Sequence, residues 1–364
     1  CGGSSSAMEH TIKVLVVDDS QVVREFIAHV LGSDPGIRIV GTAGGGEEAL
    51  EAARRHRPAV ITMDVHMPKM NGVDATRLIM ETCPTPIVIV SGSSDPGELA
   101  TFQAIEAGAL AVLRRPAGIG HPDHEMTAAE LVRTVKTMSE VKVVRRWSQA
   151  RREASAPPAG RLDAVRRPSK ISVVALGAST GGPPVLQTIL AALPKDFPAP
   201  VLIVQHMAAG FIQGFVEWLA RSSSLPVRLA AQGEPLLPGR VYVAPDGYHM
   251  EVKRGGTISL TLEEPQNGLR PSVSCLMRSA AEVYGASAVA GLLSGMGRDG
   301  AEELKRMKDI GALTIVQDRD SCVVHGMPGE AIRLDAATLV LPPERIAAVL
   351  AGLANDRNKG GRDS

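Results

Sequence analysis

Short apolar runs, each separated from the next by one helix-length segment, recur along this chain, and no other feature restricts its fold as much. In the first half the runs are Ile12–Val17, Ile37–Val40, Ala59–Met63, Pro86–Val90 and Ala109–Leu113. A run that is apolar at every position is a strand buried on both faces, as in an open parallel sheet covered by helices. Residues 11–145 are therefore expected to form a doubly wound α/β unit of five parallel strands and five helices, closing on a long helical stretch. A second series follows, with Ile171–Leu176, Val201–Val204, Val241–Ala244, Ala288–Leu293, Ala312–Val316 and Thr338–Leu341 as its strands. Within it, VYVAPDGYHMEV and GTISLTLEE are glycine-punctuated and alternating. That pattern predicts an antiparallel hairpin on an otherwise parallel, doubly wound α/β sheet over residues 170–355. The two halves share no repeat.

Residues 146–169 (RWSQARREASAPPAGRLDAVRRPS) are basic and rich in Ala and Pro, without strand or strong helical periodicity. They read as a solvated linker, and residues 356–364 as a flexible tail. Residues 1–10 precede the fold; CGGSSS reads as a remnant of expression, with Met8 as the expected start. No apolar run reaches the roughly 18 residues that span a bilayer, so membrane insertion is not expected. No basic segment followed by an apolar stretch opens the chain, so neither is a secretory signal. Lys plus Arg and Asp plus Glu are both 39, which leaves no general attraction to nucleic acid or anionic lipid. The four cysteines, Cys1, Cys83, Cys275 and Cys322, have neither paired nor metal-ligand spacing, which fits a reduced cytoplasmic setting.

Asp18 and Asp19 directly follow the first strand, and Asp64 follows the third. In an open parallel sheet the carboxyl ends of the strands line one crevice. Three carboxylates gathered there repel one another unless a cation compensates, and oxygen-only ligands suit Mg²⁺. A carboxylate can also act as the nucleophile that accepts a phosphoryl group. An aspartate after a strand often caps the next helix. Capping explains one of these three, not an adjacent pair with a third at the same edge.

In the second half, Gly177-Ala178-Ser179-Thr180-Gly181 follows a strand and precedes a helix opened by Pro183-Pro184. Such a tight turn projects a serine hydroxyl beside a helix N-terminus whose N–H groups suit an oxyanion. A Gly/Ser loop of this kind also suits a phosphate. It is not a dinucleotide fingerprint, because Ser179 stands where the second glycine belongs. A nucleophilic serine needs a base, and His206, His249 and His325 are available. Only His206 follows a strand end, and Asp299 follows another, in GMGRDG. Ser179, His206 and Asp299 are thus expected at one edge of one sheet, the arrangement a triad needs. Their order, Ser-His-Asp, differs from the Ser-Asp-His order of α/β-hydrolases.

VLVVDDSQVVR and MDVHMPKMNG resemble the receiver domain of two-component response regulators. GASTGG, QHM, GEPLLPGRVYVAPDGYHM, RPSV, SGMGRDG and GMPGEAI, in that order over residues 171–353, resemble the catalytic domain of chemotaxis protein-glutamate methylesterases. The two joined resemble that family's whole architecture, a receiver followed by a mainly parallel hydrolase sheet. The receiver resemblance implies Asp64 as phospho-acceptor, with Mg²⁺ held by Asp19, Asp64 and the His66 carbonyl and assisted by Asp18. It implies Ser91 as the hydroxyl that senses the phosphoryl group. Receivers usually carry Lys where this chain has Arg115, which takes the phosphate-sensing slot with another reach and geometry, and an aromatic residue where it has Val112.

The esterase resemblance implies Ser179 as nucleophile, His206 as general base and acid, and Asp299 as orienter. It implies an oxyanion hole of backbone N–H groups, for which Thr180 and Met296 are the candidates, and no cofactor in this half. The implied substrate is the glutamate γ-methyl ester of chemoreceptors, with receptor glutamines deamidated by the same chemistry. The implied phosphodonor is a histidine kinase, and the receiver is expected to cover the active site until Asp64 is phosphorylated. A DNA-binding regulator would need a basic recognition helix in the output half, and the sequence offers none. A binding-only scaffold would not need Ser179, His206 and Asp299.

Overall fold

The computed structural model describes residues 11–92, 98–141, 143 and 171–360 and divides into two compact units after Ala154. The linker assigned to residues 146–169 and the leading residues 1–10 lie outside the described residues.

In the first unit, β1 (Ile12–Val17), β2 (Ile37–Ala43), β3 (Val60–Met63), β4 (Ile87–Ser91) and β5 (Ala111–Arg114) form one sheet. They alternate with α1 (Gln21–Gly32), α2 (Gly46–His56), α3 (Gly72–Thr82), α4 (Glu98–Ala107) and α5 (His124–Ser139). Every pairing is parallel, in the order β2-β1-β3-β4-β5. This is the expected five-strand unit, with shifted strand ends. β2 continues beyond Val40 because, after a break in register, Gly41–Ala43 still pair with Leu15–Val17. Glu47 and Glu48 open α2 while Arg54, Arg55 and His56 close it, each sign matching the nearer end of the helix dipole. Successive connections leave β1 in opposite directions along the sheet, so a crevice opens between the carboxyl ends of β1 and β3.

The second unit holds a seven-stranded sheet: β6 (Val173–Ala178), β7 (Val201–Gln205), β8 (Val227–Leu229), β9 (Val241–Val243), β12 (Ala288–Leu292), β13 (Leu313–Gln317) and β14 (Leu339–Leu341). Its order is β14-β13-β12-β6-β7-β9-β8, parallel throughout. Its helices are α6 (Gly182–Ala191), α7 (Ile212–Ser222), α8 (Val273–Tyr284), α9 (Ala301–Asp309), α10 (Met327–Arg333) and α11 (Pro343–Gly360). The hairpin is present as β10 (His249–Lys253) and β11 (Thr257–Thr261), but it forms a separate two-stranded sheet rather than extending the main one. It packs on α8 instead, with Met250, Val252 and Ile258 buried among Val273, Leu276 and Met277. β8 went unforeseen because it is a three-residue edge strand with no fully buried position. α11 remains helical to Gly360, into the stretch expected as a tail, while residues 361–364 lie outside the described residues.

Strands β6, β7 and β12 are buried along their whole length. Each such Val, Leu or Ile contributes roughly 1.5–3 kcal/mol through burial. Tyr242 is wholly buried yet satisfied: its hydroxyl donates to the Pro235 carbonyl at 3.0 Å and accepts from the Leu237 N–H at 3.1 Å. β6 is the switch point here, since the chain runs from it to β7, β9 and β8 on one side and returns to β12 on the other.

Where α3 meets β3 the chain permits no side chain. A Cβ on Gly72 would lie 2.0 Å from the Asp64 carbonyl oxygen, a backbone atom that cannot step aside. Gly72→Ala should therefore lower the unfolding free energy of the first unit by at least about 1–3 kcal/mol, read by urea denaturation. An unchanged midpoint would mean that α3 slides freely along the sheet.

Candidate active site

Ser179 follows β6 in a turn tied from both sides. Its N–H donates to the Ser294 carbonyl at 3.0 Å, and its carbonyl accepts from the Gly182 N–H at 2.8 Å and from Gln205 Nε2 at 2.9 Å. The turn needs Gly181, whose φ of 78° is left-handed and whose absent Cβ would fall 2.5 Å from Val323 Cβ. α6 then starts with Pro183 and Pro184 in its first turn, where missing N–H groups cost nothing. Gly295 lies against Ser179: a Cβ there would be 2.7 Å from the serine Cβ. That contact brings the Gly295 backbone alongside the Cβ and N of Ser179. Among the described residues, neither the Thr180 nor the Met296 N–H has an acceptor. Two uncommitted donors therefore flank the serine.

His206 follows β7, its N–H bonded to the Ala178 carbonyl at 2.9 Å. Its Nε2 lies 3.0 Å from Asp299 Oδ2. The contact is an ion-pair distance without an aligned N–H bond. One imidazole nitrogen thus faces the carboxylate, and the other is left to exchange a proton. No hydrogen bond among the described residues joins the Ser179 hydroxyl to the ring, a looseness common before substrate binds.

Asp299, buried to 3% exposure, is the most constrained member. Oδ1 accepts from Ser272 Oγ at 2.8 Å and from the Ser274 N–H at 3.1 Å; Oδ2 accepts from the Val273 N–H at 2.6 Å. The carboxylate therefore caps the N-terminus of α8, a helix distant in sequence, whereas α9 just downstream is capped by Gly300. Burial alone raises its pKa. The His206 imidazole facing the carboxylate, with the donations from α8, outweighs that and holds the group down to about 2.

The other histidines lie elsewhere in the chemistry. His249 is fully buried in β10 with Nε2 3.2 Å from the Glu264 carbonyl, a core residue. His325 adjoins the Gly295 loop, its pKa lowered by burial and by Arg319. Sequence reasoning gave no role to Ser272, Ser294 and Gln205, although RPSV, SGMGRDG and QHM contain them. Ser294 is wholly buried and donates its hydroxyl to the Thr180 carbonyl at 2.7 Å.

In the first unit, Asp18, Asp19 and Asp64 each present an oxygen within 4.8 Å of the others. Burial, helped by the charge of Asp18, pushes Asp64 up to about 6, and burial also raises Asp18. Arg115 Nη2 stands 3.3 Å from Asp18 Oδ2, and its N–H donates to the Ser91 carbonyl at 2.8 Å. Arg24 Nη1 holds the Asp18 and Asp19 carbonyls at 2.6 and 2.9 Å. Ser91 is buried at the end of β4, Val112 is half-buried, and the His66 side chain points to solvent. No helix of the described residues is long and apolar enough to cross a membrane.

Residues 174–350 match the family model for CheB methylesterase, and residues 14–121 that for the response regulator receiver domain. A protein-glutamate methylesterase/protein-glutamine glutaminase of Nitrosospira multiformis is 62% identical over 96% of this chain and 98% of its own length. One of Geobacter metallireducens is 57% identical over 95% of this chain and all of its own length. A third, of Syntrophus aciditrophicus, is 56% identical over 94% and 98%.

The Asp299 carboxyl binds a proton less readily folded than unfolded, its ordinary value being 3.8. Its stabilising contribution is thus complete above about pH 4 and is lost as pH falls towards 2. Asp299→Asn should flatten this dependence in urea denaturation between roughly pH 4 and pH 2. Equal slopes for parent and variant would show that α8 and His206 do not hold the charge.

Proposed function

The chain belongs to the family of protein-glutamate methylesterases built from a response-regulator receiver and a CheB methylesterase domain, and on that premise we propose that Ser179, His206 and Asp299 are its catalytic triad. The observation that supports this most is the 3.0 Å contact between His206 and Asp299 beside the projecting Ser179 turn. His206 takes the hydroxyl proton as Ser179 attacks the ester carbonyl. The Thr180 and Met296 N–H groups donate to the developing oxyanion, which preorganised donors stabilise without rearrangement. The imidazolium, balanced by Asp299, then protonates the departing methoxide, which leaves as methanol. Water, deprotonated by the same imidazole, cleaves the acyl-enzyme and restores Ser179. With a glutamine side chain the leaving group is ammonia, consistent with the glutaminase activity in the relatives' names.

The substrate is a glutamate methyl ester or glutamine of a chemoreceptor, and a histidine kinase supplies the phosphoryl group that Asp64 accepts. The protein works in the cytoplasm. Asp18, Asp19 and Asp64 with the His66 carbonyl fit Mg²⁺, since carboxylates pushed towards protonation by burial and mutual repulsion make a site short of positive charge. Bound there, the ion offsets charge on the carboxylates and on the incoming phosphoryl group. Ser91 and Arg115 then contact the phosphoryl oxygens, Arg115 by exchanging Asp18 for phosphate.

Ser179→Ala should lower methanol release from methylated receptor membranes by about 10⁴ to 10⁶. His206→Ala should match it, and the double variant should be little worse, because the two act as a unit. His249→Ala and His325→Ala should keep substantial turnover. An active His206→Ala beside an inactive His249→Ala would reverse the choice of base. A small-molecule phosphodonor with Mg²⁺ should raise methanol release by the parent protein and leave Asp64→Asn unchanged. Equal stimulation of both would mean that the phosphoryl group is accepted elsewhere.

A further inference from the structure

Gln205, the last residue of β7, is buried and has no part in the bond-making steps above. Its side-chain amide nevertheless joins two residues that do. Nε2 donates to the carbonyl of Ser179 at 2.9 Å and to the carbonyl of His206 at 2.8 Å, which engages both of its N–H groups. The Ser179 carbonyl shares one planar peptide unit with the Thr180 N–H, and in a trans unit the two point in opposite directions. Whatever holds the carbonyl therefore aims the N–H. The second bond anchors the main chain of His206 to the same amide.

Stability alone does not account for this side chain. Oε1 is buried with no hydrogen-bond partner, an unfavourable state that an apolar residue of the same length would avoid. The oxygen sits against Gly182, where a Cβ would come within 2.4 Å of it. The φ of Gly182 is not left-handed, so an alanine there lacks space rather than conformational freedom.

We propose that Gln205 is a positioning residue of the hydrolysis, its amide holding the Thr180 N–H and the His206 main chain in register with the Ser179 hydroxyl. The proposal rests on the reading of Ser179 as nucleophile and Thr180 as oxyanion donor. Gln205→Met keeps length and bulk and removes both donors. Gly182→Ala leaves Gln205 in place and fills the space its amide needs.

The test measures methanol release from methylated receptor membranes, together with labelling by a serine-directed fluorophosphonate that counts competent sites. Both variants should lower kcat per labelled site by about tenfold to a hundredfold, since a misdirected oxyanion donor is a partial form of a deleted one. KM should stay within about twofold, because the lost alignment matters in the transition state. The pH dependence of kcat should keep its shape, because the imidazole still faces Asp299, which Gln205 does not touch. Labelling should still reach one per chain, at a rate reduced in proportion to kcat. A kcat per labelled site equal to the parent's would show that only the number of folded molecules had changed, and a loss carried by KM would show a binding role; either overturns the proposal. Failure of the parent to label at Ser179 would instead remove the nucleophile reading, and this proposal with it.

Discussion

A single buried carboxylate holds the catalytic half together. Asp299 is almost free of contact with water, and a charge so buried persists only where donors surround it. Three of its partners, Ser272, Val273 and Ser274, belong to the start of α8, and the fourth is His206. One side chain therefore ends the loop after β12, caps α8 and faces the imidazole after β7. One carboxylate both caps α8 and faces His206, so whatever keeps the helix start in place also keeps that imidazole contact. α8 in turn carries the hairpin of β10 and β11, which shares its buried face.

The two units use one architectural rule in opposite electrostatic ways. Each gathers its chemistry at the carboxyl ends of parallel strands, on either side of a switch in strand order. In the catalytic unit the charge is satisfied from within, and its pKa falls to about 2. In the receiver burial, and after it the charge of Asp18, raises Asp64 to about 6, with Arg115 as a partial counterweight. A satisfied charge suits permanent machinery, and an unsatisfied one suits a site that waits for a ligand and a modification.

Most of the architecture was legible in the sequence because uninterrupted apolar runs have few other uses. β6, β7 and β12 could be read from Val, Leu, Ile and Ala alone, and their ends located Ser179, His206 and Asp299. The edge strand β8, with Arg228 between two half-buried neighbours, carries no such signal. The hairpin was readable as a hairpin, yet its alternation says only that one face is covered, not by what. The helix that Asp299 caps begins 26 residues earlier in the chain, at Val273, and sequence spacing cannot report such pairings. Gln205 was hidden for a related reason: its role lies in two carbonyls it touches, and backbone atoms leave no trace in residue identities.

The order of strands also governs when the residues of this crevice can come together. β6 lies between β7, its near neighbour in sequence, and β12, roughly a third of the chain further on. Pairing β6 with β12 closes a long loop, an entropic cost that early, local contacts do not bear. On a growing polypeptide the receiver, β6 and β7 emerge first, so Ser179 and His206 can meet while Asp299 has yet to be synthesised. Asp299 therefore reaches His206 and the start of α8 only once the sheet is completed across its switch point.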